Sequence, residues 1–524
     1  MRQSLEHSRR LIFSALLAAT LAACGGGDGG GSNPPPGPSP GPAPGPPVSG
    51  PAWLMFSRDA QHTAASAAAT PPLNRIIWQT PVDLDPQYSN GSFLLTHYGT
   101  PVISSMNTVL VPVKTAAQGS FRFDARSGVN GGLMWSGTSD YIVPPHRWFP
   151  SFNLTLTANG RMYAPGAGGK LYYRDNVDSI AGTVETAVFY GATVYANARA
   201  ELDAAVAIST PITVDAAGNA WFGFFVNAVN SAGLTSGVAR LSANGSGTWQ
   251  PASVLANDVT VDRVAMNSAP ALSADGTTLY IAVSNAAERG YLLALDSATL
   301  APRARVALLD PVSGGTARVT GDSTASPVIG PDGDVYYGVL ESVQRVNNGR
   351  GWLLHFNAAL TQTKIPGPFG WDDTPSVVPA SAVPSYTGTS AYLLAVKYNN
   401  YAGVGTGNGL NRMAVLDPQA SHIDPISGAA TMNEVLTILG PTPDSGQPGV
   451  REWCVNTGAF DPATRSMLVN NEDGYLYRWD LATNLLSERI RFNNGVGQSY
   501  TPTAVGADGT VYAINNAVLF AVGR

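Results

Sequence analysis

Tryptophan stands beside charge in three of the segments that lead into a repeat: Arg147-Trp148, Trp371-Asp372 and Arg451-Glu452-Trp453. An indole offers a flat apolar face, and a guanidinium or carboxylate offers directional hydrogen bonds. Together they can stack on and orient a flat or sugar-like ligand. Other polar and aromatic groups recur in comparable segments: His97-Tyr98, His146 and Phe149, Arg263 with Met266-Asn267, Asp322, Asp373, and Gln498-Ser499-Tyr500. The same residues would serve equally to pack and pair loops. No Gly-x-Ser-x-Gly and no His-Glu-x-x-His occurs, so two common hydrolase signatures are absent, while a dispersed hydrolytic site stays open. Gly403 to Gly409 spaces its glycines like a phosphate loop but neither follows a βαβ strand nor opens a helix, and reads as a loop between strands. Asp332-Gly333-Asp334 and Asn471-Glu472-Asp473-Gly474 carry too few ligands for calcium loops and read as hairpin turns.

The chain has two cysteines. Cys24 closes the run Leu21-Ala22-Ala23-Cys24, after a basic start (Arg2, Arg9, Arg10) and an apolar stretch from Leu11 to Ala23. That is a secretory signal peptide, too short to remain as a spanning helix. The run resembles the lipobox of bacterial lipoproteins. The resemblance implies cleavage before Cys24, a diacylglycerol on its thiol and anchoring in a membrane; a chance cysteine after an ordinary signal peptide is the plainer alternative. Gly25 in place of aspartate implies outer-membrane sorting, with the body in the periplasm or at the cell surface. Residues 1–23 are thus the signal peptide, and 24–51 a lipidated cysteine with a disordered tether rich in glycine and proline. Such a chain cannot build a core, and fully extended it reaches on the order of 80 Å. Cys454 is then alone, so the fold cannot rest on an internal disulfide, and multi-cysteine zinc sites are excluded.

Only 13% of residues are charged, and the net charge is −6. Without basic clusters, nucleic acid and anionic lipid are poor partners.

Self-similarity shows what must position these groups. A small or polar residue, usually a proline, precedes a short apolar strand, a tight turn and an aromatic strand. Thr501-Pro502-Thr503-Ala504-Val505 with Asp508-Gly509 and Tyr512 is the clearest copy. Others begin at Thr100, Leu154, Thr210, Ala269, Ser326, Pro375 and Gly458, making eight. Third and fourth strands follow, as in Tyr291 to Asp296 and Arg303 to Leu309. Four short strands per repeat predict an all-β protein: an eight-bladed β-propeller of four-stranded antiparallel blades over residues 52–524. A seven-bladed ring omitting the second copy is the alternative. The last repeat lacks a fourth strand, and Arg75 to Val82 is a strand without a repeat. Pairing the two would close the ring and remove an open edge. In such a ring the segments before the innermost strands converge on the mouth of the central channel, which brings the tryptophan–charge groups to one rim.

The repeat resembles the PQQ-like repeat of the quinoprotein-dehydrogenase-like propeller superfamily. Phe123-Asp124-Ala125-Arg126-Ser127-Gly128 followed by Trp135 resembles its tryptophan-docking element, and Trp53-x-x-Phe56-Ser57-Arg58-Asp59-x-x-His62-Thr63 resembles the start of exported members. The resemblance implies two kinds of function. One is a lipid-anchored scaffold for envelope proteins, or a ligand-binding module. The scaffold would be similar in plan to the propeller lipoprotein of the outer-membrane β-barrel assembly machine, which is shorter and lacks this tether. The alternative is a PQQ-dependent oxidoreductase. Its relatives hold the quinone over calcium with Glu, Asn and Asp, often beside two adjacent cysteines. Glu452, Asn267 and Asp372 or Asp373 are candidate ligands, with Trp371 or Trp453 as floor, but adjacent cysteines and the haem motif Cys-x-x-Cys-His are absent. The expectation is therefore no catalytic residues, no resident metal or cofactor, and a ligand site made of Arg147, Trp148, Trp371, Asp372, Arg451, Glu452 and Trp453.

Overall fold

Each repeat opens on a strand of two to four residues whose side chains are almost all buried: Val102–Ile103, Thr155–Leu156, Thr213–Val214, Ala271–Leu272, Val328–Ile329, Ser376–Pro379, Ala459–Asp461 and Ala504–Val505. In the computed structural model, which describes residues 42–86, 99–117, 119–144, 152–320, 325–343, 345–494 and 498–524, each of these strands pairs antiparallel with the next in sequence. The turn between them needs a left-handed residue. Glycine fills it at Gly160, Gly218, Gly276, Gly333 and Gly509, with φ between +71° and +87°, and Asn107 fills it in the first repeat. The described residues form eight sheets, arranged as the eight blades of a propeller.

The aromatic residue of the second strand joins neighbouring blades. Its ring is buried and its polar tip reaches the next blade. Trp221 donates to the Ser297 carbonyl at 2.8 Å, Tyr280 to the Ala358 carbonyl at 2.7 Å, and Tyr336 meets Tyr392 hydroxyl to hydroxyl at 2.5 Å. Trp135, on the outer strand Leu133–Ser139, donates to the Val177 carbonyl of the second blade at 2.7 Å, with the Arg174 guanidinium 4.2 Å from its ring centre.

The ring closes as expected. Arg75–Pro81 pairs antiparallel with the last strand, Val518–Gly523, from Arg75 opposite Gly523 to Pro81 opposite Val518. Trp78 on this closing strand donates to the Gly128 carbonyl of the first blade at 2.8 Å, repeating the contact Trp135 makes one blade on.

The fifth blade departs from four strands. It has three, Val328–Ile329, Val335–Val339 and Trp352–Phe356, edged by isolated bridges at Gly367 and Thr363. The long hairpin of the sixth blade, Arg412–Ile423 with Ala430–Leu439, leans across this edge. Met432 donates to the Pro366 carbonyl at 2.8 Å, and Asp424 pairs with the buried Arg350 at 2.6 Å.

Residues 53–66 wind inside the channel, along the ends of the innermost strands farthest from their lead-in segments. Backbone hydrogen bonds follow blade order: Trp53 to Ile103, Leu54 to Leu156, Ala60 to Leu272, Gln61 to Ile329, Thr63 to Val377 and Ala64 to Phe460. Trp53, Met55, Ser57, His62 and Ala64 are buried there. His62 Nδ1 lies 2.7 Å from the Pro327 carbonyl, and desolvation pulls the imidazole pKa down to about 4. The segment is a plug that shuts one end of the channel. Its positive-φ residues Ser57, Arg58, His62 and Ala64 show the tight path it takes.

Candidate functional site at the channel mouth

The other end of the channel is built from the segments before the innermost strands. Those of the sixth, seventh and eighth blades are stitched together. Thr374 N–H donates to the Asn456 carbonyl at 3.1 Å, and Asn456 N–H to the Tyr500 carbonyl at 2.7 Å. The Asn456 amide donates to the Asp372 carbonyl at 3.0 Å and to Tyr500 Oη at 3.1 Å, and Tyr500 Oη donates to the Asp372 carbonyl at 2.8 Å. These bonds fix Asp372 and Asp373 against Cys454, whose carbonyl accepts from Ser499 Oγ at 2.8 Å.

Lys397 is the centre of this network. It is the penultimate residue of the second strand, Tyr392–Tyr398, and is fully buried. Its ammonium pairs with Asp372 and lies 5.3 Å from the Tyr500 ring centre and 5.7 Å from that of Phe369. Its backbone N–H donates to Asp373 Oδ1 at 3.2 Å. Burial alone would pull the Lys397 pKa down, but Asp372 and its other acidic neighbours carry it above the ordinary lysine value.

Carboxyl groups outnumber cations here. Burial pushes Asp373 well above the carboxylate range, and Asp373 Oδ2 has no hydrogen-bond partner. Glu452 N–H donates to Glu472 Oε1 at 3.1 Å. Burial, reinforced by Glu472, pushes Glu452 far up, and burial brings Glu472 to about 7. The Cys454 thiol is likewise raised by burial, with Lys397 opposing. Glu452, Cys454, Tyr401 and Glu472 are closely surrounded by protein yet each keeps some solvent-accessible surface, as residues lining a narrow opening do.

The expected site residues divide. Trp371, Asp372 and Glu452 lie at the mouth and are partly accessible. Arg451 is close by but spent on Asp444, 3.3 Å away. Trp453 departs from expectation: its indole is fully buried, 5.6 Å from Tyr477 in the seventh blade, because it precedes a strand whose core needs a large apolar group. Arg147 and Trp148 lie outside the described residues, as do Cys24, His97, Tyr98, His146, Phe149 and Asp322. Arg263 pairs with its neighbour Asp262 at 2.6 Å, and Asn267 is buried in the channel wall, its N–H bonded to the Ser209 carbonyl at 2.8 Å. Sequence reasoning missed Lys397, Cys454, Tyr401 and Glu472 as site residues. A visible signal existed for Lys397, a lone charge closing the apolar run Leu393-Leu394-Ala395-Val396.

A quinone–calcium site asks for converging oxygen ligands. Of the candidate ligands, Asp372 is engaged by Lys397, Asn267 is buried in the channel wall, and Glu452 lies at the mouth.

No family model and no curated protein matches the chain. Solved structures do resemble it. A europium-containing methanol dehydrogenase aligns with a TM-score of 0.52 at 11% identity, covering 88% of this chain and 89% of that one. The quinohemoprotein alcohol dehydrogenase from Comamonas testosteroni aligns at 0.53 and 11% identity, covering 90% and 81%. BamB from Moraxella catarrhalis gives 0.44 at 14% identity, covering 86% and 99%. The chain thus shares the propeller fold of these two dehydrogenases, with eight blades among the described residues.

Proposed function

We propose that this protein is a lipid-anchored propeller of the cell envelope that binds a small ligand at the channel mouth. One observation carries the reading: Asp373, which is 2% exposed, keeps a carboxyl oxygen without a partner among crowded, partly accessible acids. An unpaired buried polar group costs stability, and such costs concentrate where a ligand supplies the missing bond. Trp371 adds an indole nitrogen that is buried and also lacks a partner. The anchor rests on Leu21-Ala22-Ala23-Cys24.

The test is a thermal-shift panel of sugars, amino acids, short amines and pyrroloquinoline quinone with calcium. At least one compound should raise Tm, and Trp371→Ala and Glu452→Gln should abolish the shift. If nothing in the panel moves Tm, the second reading stands: a scaffold for envelope proteins. Its support is that the Lys397–Asp372 and Arg451–Asp444 pairs already satisfy four of the charged groups at the mouth. An oxidoreductase, suggested by the names of the two dehydrogenases, is the alternative, with PQQ as the cofactor that the repeat resemblance implies. A quinone spectrum in the calcium-loaded sample would favour it.

A further inference from the structure

The mouth and residues 42–50 lie on opposite faces of the propeller. The innermost strands run from the mouth to the turns at Asn107, Asn159-Gly160, Asp275-Gly276 and Asp508-Gly509. The chain ahead of the plug lies against that far face. Gly50 N–H donates to the Ser105 carbonyl at 2.8 Å, beside the turn of the first blade. Gly45 N–H reaches Ser127 Oγ and Asn130 Oδ1, each at 3.2 Å, and the Asn130 amide donates to the Ala43 carbonyl at 2.7 Å. Close packing leaves no slack here: a Cβ on Gly50 would come within 2.0 Å of the Ala507 carbonyl oxygen, and one on Gly132 within 2.4 Å of that of Pro42. The plug closes the channel at the same end, with Trp53 and Leu54 bonded to the last residues of the first two innermost strands.

From these contacts we infer that the anchored propeller turns its plugged face to the membrane and its mouth to the aqueous compartment, so that its ligand is a water-soluble molecule and not one drawn from the bilayer. This rests on the anchored, ligand-binding reading above. Residues 24–41 stand between the lipid and the point where the chain meets the far face, a span of at most about 65 Å. The membrane side of the channel offers no way in, because the plug is bonded to six blades. A ligand reaching Lys397 and Glu452 must come past the loops at 399–411 and 441–450, on the side away from the anchor.

The mature lipidated protein would be placed in phosphatidylethanolamine–phosphatidylglycerol vesicles carrying headgroup nitroxides. A fluorophore would be attached through Ala274→Cys on the far-face turn or Gln447→Cys on the mouth face, both exposed positions; unsubstituted protein controls for labelling of Cys454. The Ala274→Cys label should be quenched several-fold more than the Gln447→Cys label. Equal quenching, or stronger quenching at the mouth, would overturn the inference. Protein that does not float with the vesicles would remove the anchored reading and this inference with it. A mouth facing water that nonetheless binds only vesicle-borne quinone would sink the claim about ligand class while leaving ligand binding intact.

Discussion

Lys397 and Asp372 form an ion pair in the wall of the channel mouth, with the lysine on the second strand of the sixth blade and the aspartate on the segment before its first. The pair therefore ties the lead-in segment to the blade it enters, and it holds the cation in the densest group of acids at the mouth.

Removing one partner of such a pair leaves a buried charge without compensation. Lys397→Met should lower stability by about 3–5 kcal/mol, read from urea unfolding near neutral pH. Because the folded lysine is raised above its unfolded value, its contribution is whole below about pH 10 and fades as pH climbs through the folded pKa. A variant as stable as the parent at pH 7 would show the pair to be dispensable.

Burial brings Glu472 to about 7 in the folded protein, against 4.5 for an ordinary glutamate. Between those values the unfolded chain has lost its proton and the folded one keeps it, so stability falls as pH rises across that window. Glu472→Gln keeps an oxygen for the Glu452 N–H and removes the titration. Its Tm should match the parent at pH 4.5 and exceed it at pH 8. Parallel Tm–pH curves for the two proteins would argue against the shift.

His62 works in the opposite direction. Its folded pKa is about 4, so the unfolded imidazole takes up its proton first as pH drops below 6.5. Stability contributed above 6.5 is lost on the way down, by about 3 kcal/mol once both states are protonated. His62→Gln retains a donor for the Pro327 carbonyl, and should flatten the fall in unfolding free energy between pH 7 and pH 4 by up to that amount. An unchanged slope would mean that the plug does not exclude water from the imidazole.

The plug and the closing strand lie in one stretch of chain. Deleting residues 52–83 would empty the channel end and expose the edge of Val518–Gly523. The expected product aggregates on size-exclusion chromatography. Trp53→Ala, a milder cut, should cost about 3–5 kcal/mol because its indole is 1% exposed. A soluble, monomeric deletion protein with the parent Tm would contradict both roles.

Cys24→Ala tests the anchor. The variant should leave detergent-extractable membranes or accumulate uncleaved. If it is processed and fractionates like the parent, the lipoprotein reading falls.

The propeller was legible in the sequence because its information is local and repeated. Pro-Val-Ile at 101–103, Asp-Gly at 508–509 and the aromatic at 512 each report a strand or a turn of fixed geometry, and eight copies leave little choice of architecture. The closing strand was legible for a similar reason: a repeat short of one strand and a strand short of a repeat require each other. What could not be read was anything set by distance across the ring. Trp53-x-x-Phe56 through His62-Thr63 looked like an opening motif, and only the closed ring shows it to be a plug touching six blades, because its partners lie up to about four hundred residues away. Trp453 and Glu452 are adjacent in sequence, yet one is sealed in a blade and the other lines the mouth, since side chains on extended backbone alternate between faces. Lys397, Asp372 and Tyr500 come from three separate stretches. Their pairing depends on how the blades turn about a common axis, which no short stretch of sequence records.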